Sequence, residues 1–482
     1  MTTIVPANRR LPLTAIRINN ELAQQADSAQ PYRTLLMAPK IDAGTVHDTD
    51  LTEIFSLGDA AQKLGRGSLA YEFCRGYFAQ ESGHPLFFLN VDDSSLTARE
   101  ETLTFSGSGI QAGTYVLYIS GERIVTNISN GQAPADIAAD VASSVNANPD
   151  SLFTAAAAAA VVTLTSKNKG DVSGQHRIES NGAYAPGDAL PSGLEVAQAT
   201  KTSGAGTPDL ADVLKRIPEN TQYILVNTPY NEPNTVKLVN DVLVERNGAT
   251  RKLDGYHITA SEDPKATIGT LNSQFLTVMP LIGVSSEAYL SGALIGQTAR
   301  IKGSDPAASL RGAVLKGIVP PRPNEILSDT VQNTNLLNKI SAYEVSPAGD
   351  VSIALLATTY NENRFGGTDT SYFDLGVLLT LSYIRYDLDR LAALAWSGAK
   401  IGRDGVRYRQ GQKIVTPTSA AADILARFSD WEERGLIEDR ESFQKALVVS
   451  RDASNVNQIN IVLVPNVVNE LRILGMDIQF LL

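Results

Sequence analysis

A single cysteine, Cys74, stands in 482 residues, so an intrachain disulfide is impossible. A reducing compartment is the natural expectation, with a buried structural thiol as the simple role for that side chain. Histidine is nearly as scarce. His47, His84, His176 and His257 are scattered, and no His-x-x-x-His or cysteine-rich spacing exists to assemble a zinc site. No run approaches the roughly 20 apolar residues that span a bilayer, and the opening MTTIVPANRRLPLTAI lacks the apolar stretch of a secretion signal. The expectation is a protein made and kept in the cytoplasm, without direct membrane insertion. Excess positive charge is missing too: the formal net charge is -11. Nucleic acid is therefore not an expected partner, because neutralising phosphates needs a basic surface.

Catalytic signatures are equally thin. The Gly-x-x-x-x-Gly-Lys-Ser/Thr of a P-loop is absent. SGAGTPDL, residues 203–210, offers Gly204 and Gly206, but it reads as a flexible loop before a helix starting at Thr207-Pro208, with no strand leading in. No serine sits in a Gly-x-Ser-x-Gly elbow. A triad of His257, Asp263 and Ser285 exists only on paper, and His257 within GYHITA reads as a strand residue with a satisfied ring. Asp92-Asp93 and Glu100-Glu101 read as solvated turns. No catalytic, cofactor-binding or metal-binding residue is assigned, and no cofactor is expected.

The 43% hydrophobic share and the length suit about three folded domains. Residues 11–20, LPLTAIRINN, alternate at Ile16 and Ile18, with Leu13 of opposite parity, and predict a strand. The polar ELAQQADSAQ follows as a tether of roughly 33 Å when extended. Strands RTLLMA, LTEIF and PLFFLNV enclose two helices, the first capped by Ser56 and stopped at Gly65. Residues 96–197 turn to Gly, Ser, Thr and Asn with short strands around one helix, an insertion on the outer surface. Within it TAAAAAAVVTLT reads as a buried strand or a turn of helix. Strands and helices then alternate from Leu210, implying a parallel covered sheet. Helix FDLGVLLTLSYIRYDLDRLAALAW places Val377, Leu381, Ile384, Leu388, Leu391 and Ala395 on one stripe, and TSAAADILARFSDWEERG does so with Ala421, Ile424, Leu425, Phe428 and Trp431. The final GMDIQFLL alternates at Ile478, Phe480 and Leu482, a strand with nothing after it to fold back.

The fold class expected is thus α/β and α+β multidomain. An arm and linker span 1–30, the first part of the α/β body 31–95, the β-rich insertion 96–197, the middle β/α domain with a covered sheet 198–352, an α+β C-terminal domain 353–474 and an extended arm 475–482. One charged cluster stands out against the acidic whole: Lys400, Arg403, Arg407, Arg409 and Lys413 surround a single Asp404. It reads either as a solvated loop or as an electrostatic contact with an acidic partner, weakening with salt.

The ordered series DTSYFDLGVLLTLSYIRYDLDRLAALAW, DGVRYRQGQKIVTP, WEERGLIED and INIVLVPNVVNELRILGMDIQFLL resembles the contractile-tail sheath protein of Mu-like bacteriophages. Upstream, SLGDAAQKLGRGSLAYEFCRGYF, QYILVNTPYNEP and DPAASLRGAVLKGIVPP fall where that family has counterparts. The resemblance implies a structural homo-oligomer of stacked six-fold rings around a tail tube, with baseplate and tail terminator as further partners. It implies a virion tail component assembled in the host bacterial cytoplasm, contracting through nearly rigid-body motion, with a middle domain of subtilisin-like shape. Carried over, the inter-subunit arms are Leu13, Ile16 and Ile18 at one end and Ile478, Phe480 and Leu482 at the other. Receiving strands fall in ALVVSR and QINIVLV, and Lys400, Arg403, Arg407 and Arg409 face the tube. The alternative from the residues alone is a hydrolase or nucleotide-binding enzyme on the middle sheet.

Overall fold

The computed structural model describes residues 30–180 and 188–480. The expected N-terminal strand at Leu13, Ile16 and Ile18, its tether, and Leu482 lie outside the described residues. A six-stranded sheet runs in the order Leu276–Pro280, Tyr256–Ser261, Leu225–Asn227, Thr34–Ala38, Leu86–Asn90, Thr52–Ile54. The first five strands are parallel, and Thr52–Ile54 joins antiparallel at the edge. Every residue of Thr34–Ala38, Tyr256–Ser261 and Leu276–Pro280 is buried. Such unbroken burial is what a parallel sheet covered on both faces requires. Half the strands precede the insertion and half follow it, so the sheet closes only when the insertion has been looped out.

Local chemistry sets the helices around it. Ser56 caps Leu57–Leu64 by accepting from the Asp59 amide at 3.1 Å, satisfying one of the free donors of the first turn. Helices Leu69–Ala79 and Glu287–Ser304 pack on one another at near backbone contact. A Cβ on Gly76 would sit 2.1 Å from the Tyr289 carbonyl oxygen, and one on Gly292 would sit 2.1 Å from that of Phe73. Glycine at both crossing points is what lets the second helix be buried on nearly all sides.

The insertion leaves along Thr97–Gly107 and returns along Leu194–Ala205, paired antiparallel from Thr97↔Ala205 to Gly107↔Leu194. Its returning strand therefore extends beyond residue 197 and runs into SGAGTPDL, contrary to the loop expected there. In that stretch Asp171 accepts from the Gly206 amide at 3.1 Å and from Thr207 Oγ1 at 2.9 Å, so a carboxylate occupies the amide a phosphate would need. The following helix begins only at Ala211. TAAAAAAVVTLT forms two antiparallel strands, Phe153–Ala158 and Val161–Lys169, and the alanines at 156–159 are exposed rather than buried because the first is an edge strand. The insertion has its own core, including Leu103, Phe105, Tyr115, Ile137, Val141 and Leu164.

Docking of the insertion onto the body is polar and specific. Arg66 holds Asp150 through two bonds of 2.6 and 2.8 Å. Asn168 accepts from the Leu69 amide at 2.9 Å and donates to the Gly67 carbonyl at 3.1 Å. Arg75 pairs with both Glu72 and Glu122, and Val116 and Tyr118 pack on Val284.

Helix Leu375–Leu391 links two cores. Leu375, Leu378 and Leu379 belong to the large core of the body, whereas Tyr383 and Ile384 join Ile424, Phe428, Trp431, Leu436, Ile437 and Phe443. The expected stripe holds over the second half, where Leu381, Leu388 and Leu391 pack with Ile384 against the second core, whereas Val377 and Ala395 are only half-buried. No single face is buried along the whole helix because its two halves serve different cores. Asp387 ties the second half to helix Pro417–Glu433, accepting from Trp431 Nε1 at 2.7 Å and pairing with Arg427 at 3.2 Å. In Pro417–Glu433 the expected face does turn inward, with Ile424, Phe428 and Trp431 buried.

Candidate assembly surfaces

Strands Val448–Arg451 and Ile459–Val462 fall in ALVVSR and QINIVLV and form an antiparallel hairpin. It is a separate two-stranded sheet among the described residues, so both of its outer edges present unpaired backbone donors and acceptors. Val448, Val462 and Val464 are exposed beside it. A two-stranded hairpin is marginal in water, and a third strand is the usual remedy. The C-terminal segment has the complementary character. Residues 475–480 are exposed and belong to no strand, so the strand expected there is not formed in the isolated chain. Ile478 is 87% exposed and Phe480 77%. The alternation is present but has no partner among the described residues.

The basic cluster lies on the connection between the two-residue strands Lys400–Ile401 and Ile414–Val415, which pair in parallel. Lys400, Arg403, Arg407, Arg409 and Lys413 are all exposed, and none forms an ion pair among the described residues. Their one acidic neighbour is engaged elsewhere. Asp404 accepts from the Thr418 amide at 3.1 Å in the first turn of Pro417–Glu433, and hydrogen bonds from Thr416 and Thr418 hold its carboxyl below the usual range. The loop therefore presents uncompensated positive charge in an acidic protein.

No protein-family model matches the chain. Among curated proteins, the Mu-like prophage FluMu tail sheath protein of Haemophilus influenzae is 28% identical over 484 residues, covering 99% of each chain. The chain is thus similar to a tail sheath protein along nearly its whole length. Two solved structures share its fold. The sheath tail protein of Desulfitobacterium hafniense matches 95% of this chain and all of its own, with a TM-score of 0.50 and 12% identity. The sheath tail protein of Listeria innocua matches 93% and 94%, with a TM-score of 0.50 and 11% identity. A mixed α/β architecture is thus common to all three solved or computed structures, at identities too low to align individual side chains.

The paper triad does not assemble. Ser285 Oγ is buried without a hydrogen-bond partner, and Asp263 is occupied capping helix Pro264–Ile268 by accepting from the Ala266 amide at 3.0 Å. His257 is buried in the central sheet. A cleft of about 470 Å³ opens near the C-terminal ends of the parallel strands, lined by Asn231, Glu232, Glu262, Asp263 and Glu287. Glu287 is buried there, with its carboxylate accepting from Asn231 at 2.9 Å and from the Glu262 amide at 2.6 Å. Glu287 thereby ties together the loops that follow strands Leu225–Asn227 and Tyr256–Ser261. Composition did not reveal this bridge, because Asn231, Glu262 and Glu287 lie far apart in sequence.

The two buried histidines give a pH prediction. Burial lowers His257 to about 4, and burial followed by the nearby Arg99 lowers His176 to about 3. Both stay neutral in the folded chain while the unfolded chain charges them below roughly pH 6.5. Unfolding then takes up protons, and their contribution to stability is lost as pH falls from roughly 6.5 towards 4. Urea midpoints measured across that window should fall less steeply for His257→Gln than for the wild type. Equal slopes would contradict the assignment.

Proposed function

We propose that the chain is the structural subunit of a contractile tail sheath. It polymerises as stacked six-fold rings around a tail tube and contracts to drive the tube through the bacterial envelope for genome delivery. The observation that carries this reading is the combination of an open-edged hairpin, Val448–Arg451 with Ile459–Val462, and an exposed, alternating C-terminal segment that finds no partner among the described residues. Adding a strand from a second copy satisfies the edge, and the alternation fixes which face of that strand turns inward. The relative from Haemophilus influenzae, a tail sheath protein along its whole length, supports the same role. Negative-stain electron microscopy of the purified chain should show rings or hollow tubes. Monodisperse particles at every concentration would overturn the proposal.

In this reading Lys400, Arg403, Arg407 and Arg409 face an acidic tail tube. Baseplate and terminator contact the ends of the polymer, and the particle is assembled in the host cytoplasm. Exposed charges act through long-range attraction that salt screens. Replacing all four by Gln should weaken co-sedimentation with the tube by about tenfold at low salt while leaving self-assembly intact, and wild-type binding should itself decline with salt. Undiminished binding by the variant would remove these residues from the tube contact.

A further inference from the structure

The C-terminal tail leaves the body at a defined point. Its last backbone-to-backbone hydrogen bond runs from the Val468 amide to the Leu436 carbonyl at 3.2 Å, beside the pairing of Asn466–Val467 with Ile437–Glu438. The chain then crosses the start of helix Leu375–Leu391. There the Arg472 guanidinium pairs with Asp374, and the Arg472 carbonyl accepts from Arg311 Nη1 at 2.7 Å. Arg311 in turn reaches Glu344 at 3.7 Å. Two residues earlier, Glu470 is half-buried beside Lys302, a buried lysine whose Nζ donates to the carbonyls of Pro306 and Gly376 at 3.1 and 3.2 Å. Past Arg472 the tail touches nothing comparable: among the described residues its one side-chain hydrogen bond is internal, from Gln479 to Asp477.

We propose that Asp374 and Arg311 clasp the tail at Arg472, and so set the root, the reach and the direction of the segment that pairs with a second copy of the chain. The proposal rests on the arm reading above and adds positioning residues to it. With the clasp closed, residues 473–480 are exposed, and a segment of residues 473–482 would reach about 33 Å when extended at roughly 3.3 Å per residue. With it open, the root retreats to Glu470 beside Lys302, and a segment of residues 471–482 would span about 40 Å when extended. A longer, undirected tether lowers the effective concentration of the strand at its acceptor. The clasp is also built for retention. Asp374 is buried and accepts from the Gly376 amide at 2.7 Å, so its carboxylate is fixed before Arg472 arrives.

Arg472 makes the clasp measurable, because trypsin cleaves after it and releases residues 473–482 as one peptide. Asp374→Asn keeps the helix cap, since Asn caps as well as Asp, and returns Arg472 to water. Mass spectrometry on the unassembled protein should show release about fivefold faster in Asp374→Asn than in the wild type, the effect expected when a local opening loses one ion pair. The melting temperature should stay within about 2 °C, a result a merely structural role would not give. Arg311→Gln leaves the cap untouched and should act in the same direction, which keeps the test valid if Asp374→Asn folds poorly. Both variants should need a higher protein concentration to form tubes. Wild-type release rates in both would overturn the clasp without touching the arm reading. Normal assembly of a chain ending at Leu474 would overturn the arm reading and leave the release rates to be judged alone.

Discussion

A chain ending at Leu474 should stay a folded monomer where the full-length protein forms tubes. Among the described residues, 475–480 make no contact with the subunit's cores. Residues 475–480 are exposed, no atom lies within 4 Å of a Cβ placed on Gly475, and the clasp at Arg472 is retained. Far-ultraviolet circular dichroism and the melting temperature should therefore match the wild type. Assembly is another matter. Burying Ile478 and Phe480 in a neighbour is worth about 1.5–3 kcal/mol each, before any backbone hydrogen bonds are counted. At about 1.4 kcal/mol per factor of ten, the critical concentration should rise at least about a hundredfold. Negative-stain images and sedimentation at matched concentrations decide it. Tubes of normal yield from the truncated chain would mean that this segment is not what joins the subunits.

The second large effect lies in the body. Gly292→Ala should cost about 3 kcal/mol, because the added methyl meets the Phe73 carbonyl oxygen at 2.1 Å and two packed helices must separate. Neither partner can yield cheaply. The obstructing atom is backbone, and helix Glu287–Ser304 is buried on nearly every side. The same substitution at Gly58 should have the opposite sign. There the methyl would meet only Ser56 Oγ at 3.8 Å within helix Leu57–Leu64, and replacing Gly by Ala gains up to about 1 kcal/mol of helix propensity. Urea denaturation of the two variants beside the wild type tests both. A neutral Gly292→Ala would show that the helices have room to move apart.

What was legible in the sequence was what local chemistry encodes. Ser56 as cap and Gly65 as stop are decided within one helical turn, and the structure places both as read. Continuous apolar runs gave the parallel strands, since a sheet covered on both faces leaves no alternation to hide them. Composition also exposed the basic loop, although not that Asp404 is diverted to a helix start. Failures came where a residue answers to two distant environments. The stripe expected on Leu375–Leu391 holds only from Leu381 onward, because the first half of the helix packs on another core through Leu375, Leu378 and Leu379. The alanines at 156–159 looked buried because alanine is apolar, yet an edge strand leaves them in water. The clasp was out of reach, since Asp374 and Arg472 lie in segments that only the finished fold brings together.

Helix Leu375–Leu391 also has a mechanical meaning. It is continuous, about 25 Å long at about 1.5 Å per residue, and each end is embedded in a separate hydrophobic core. Reorienting one core against the other would require breaking consecutive main-chain hydrogen bonds or withdrawing Leu378 or Ile384 from its packing. The helix therefore acts as a strut under load. A force on one core is passed to the other along the helix axis, with no joint between Leu378 and Ile384 at which it could be absorbed by bending.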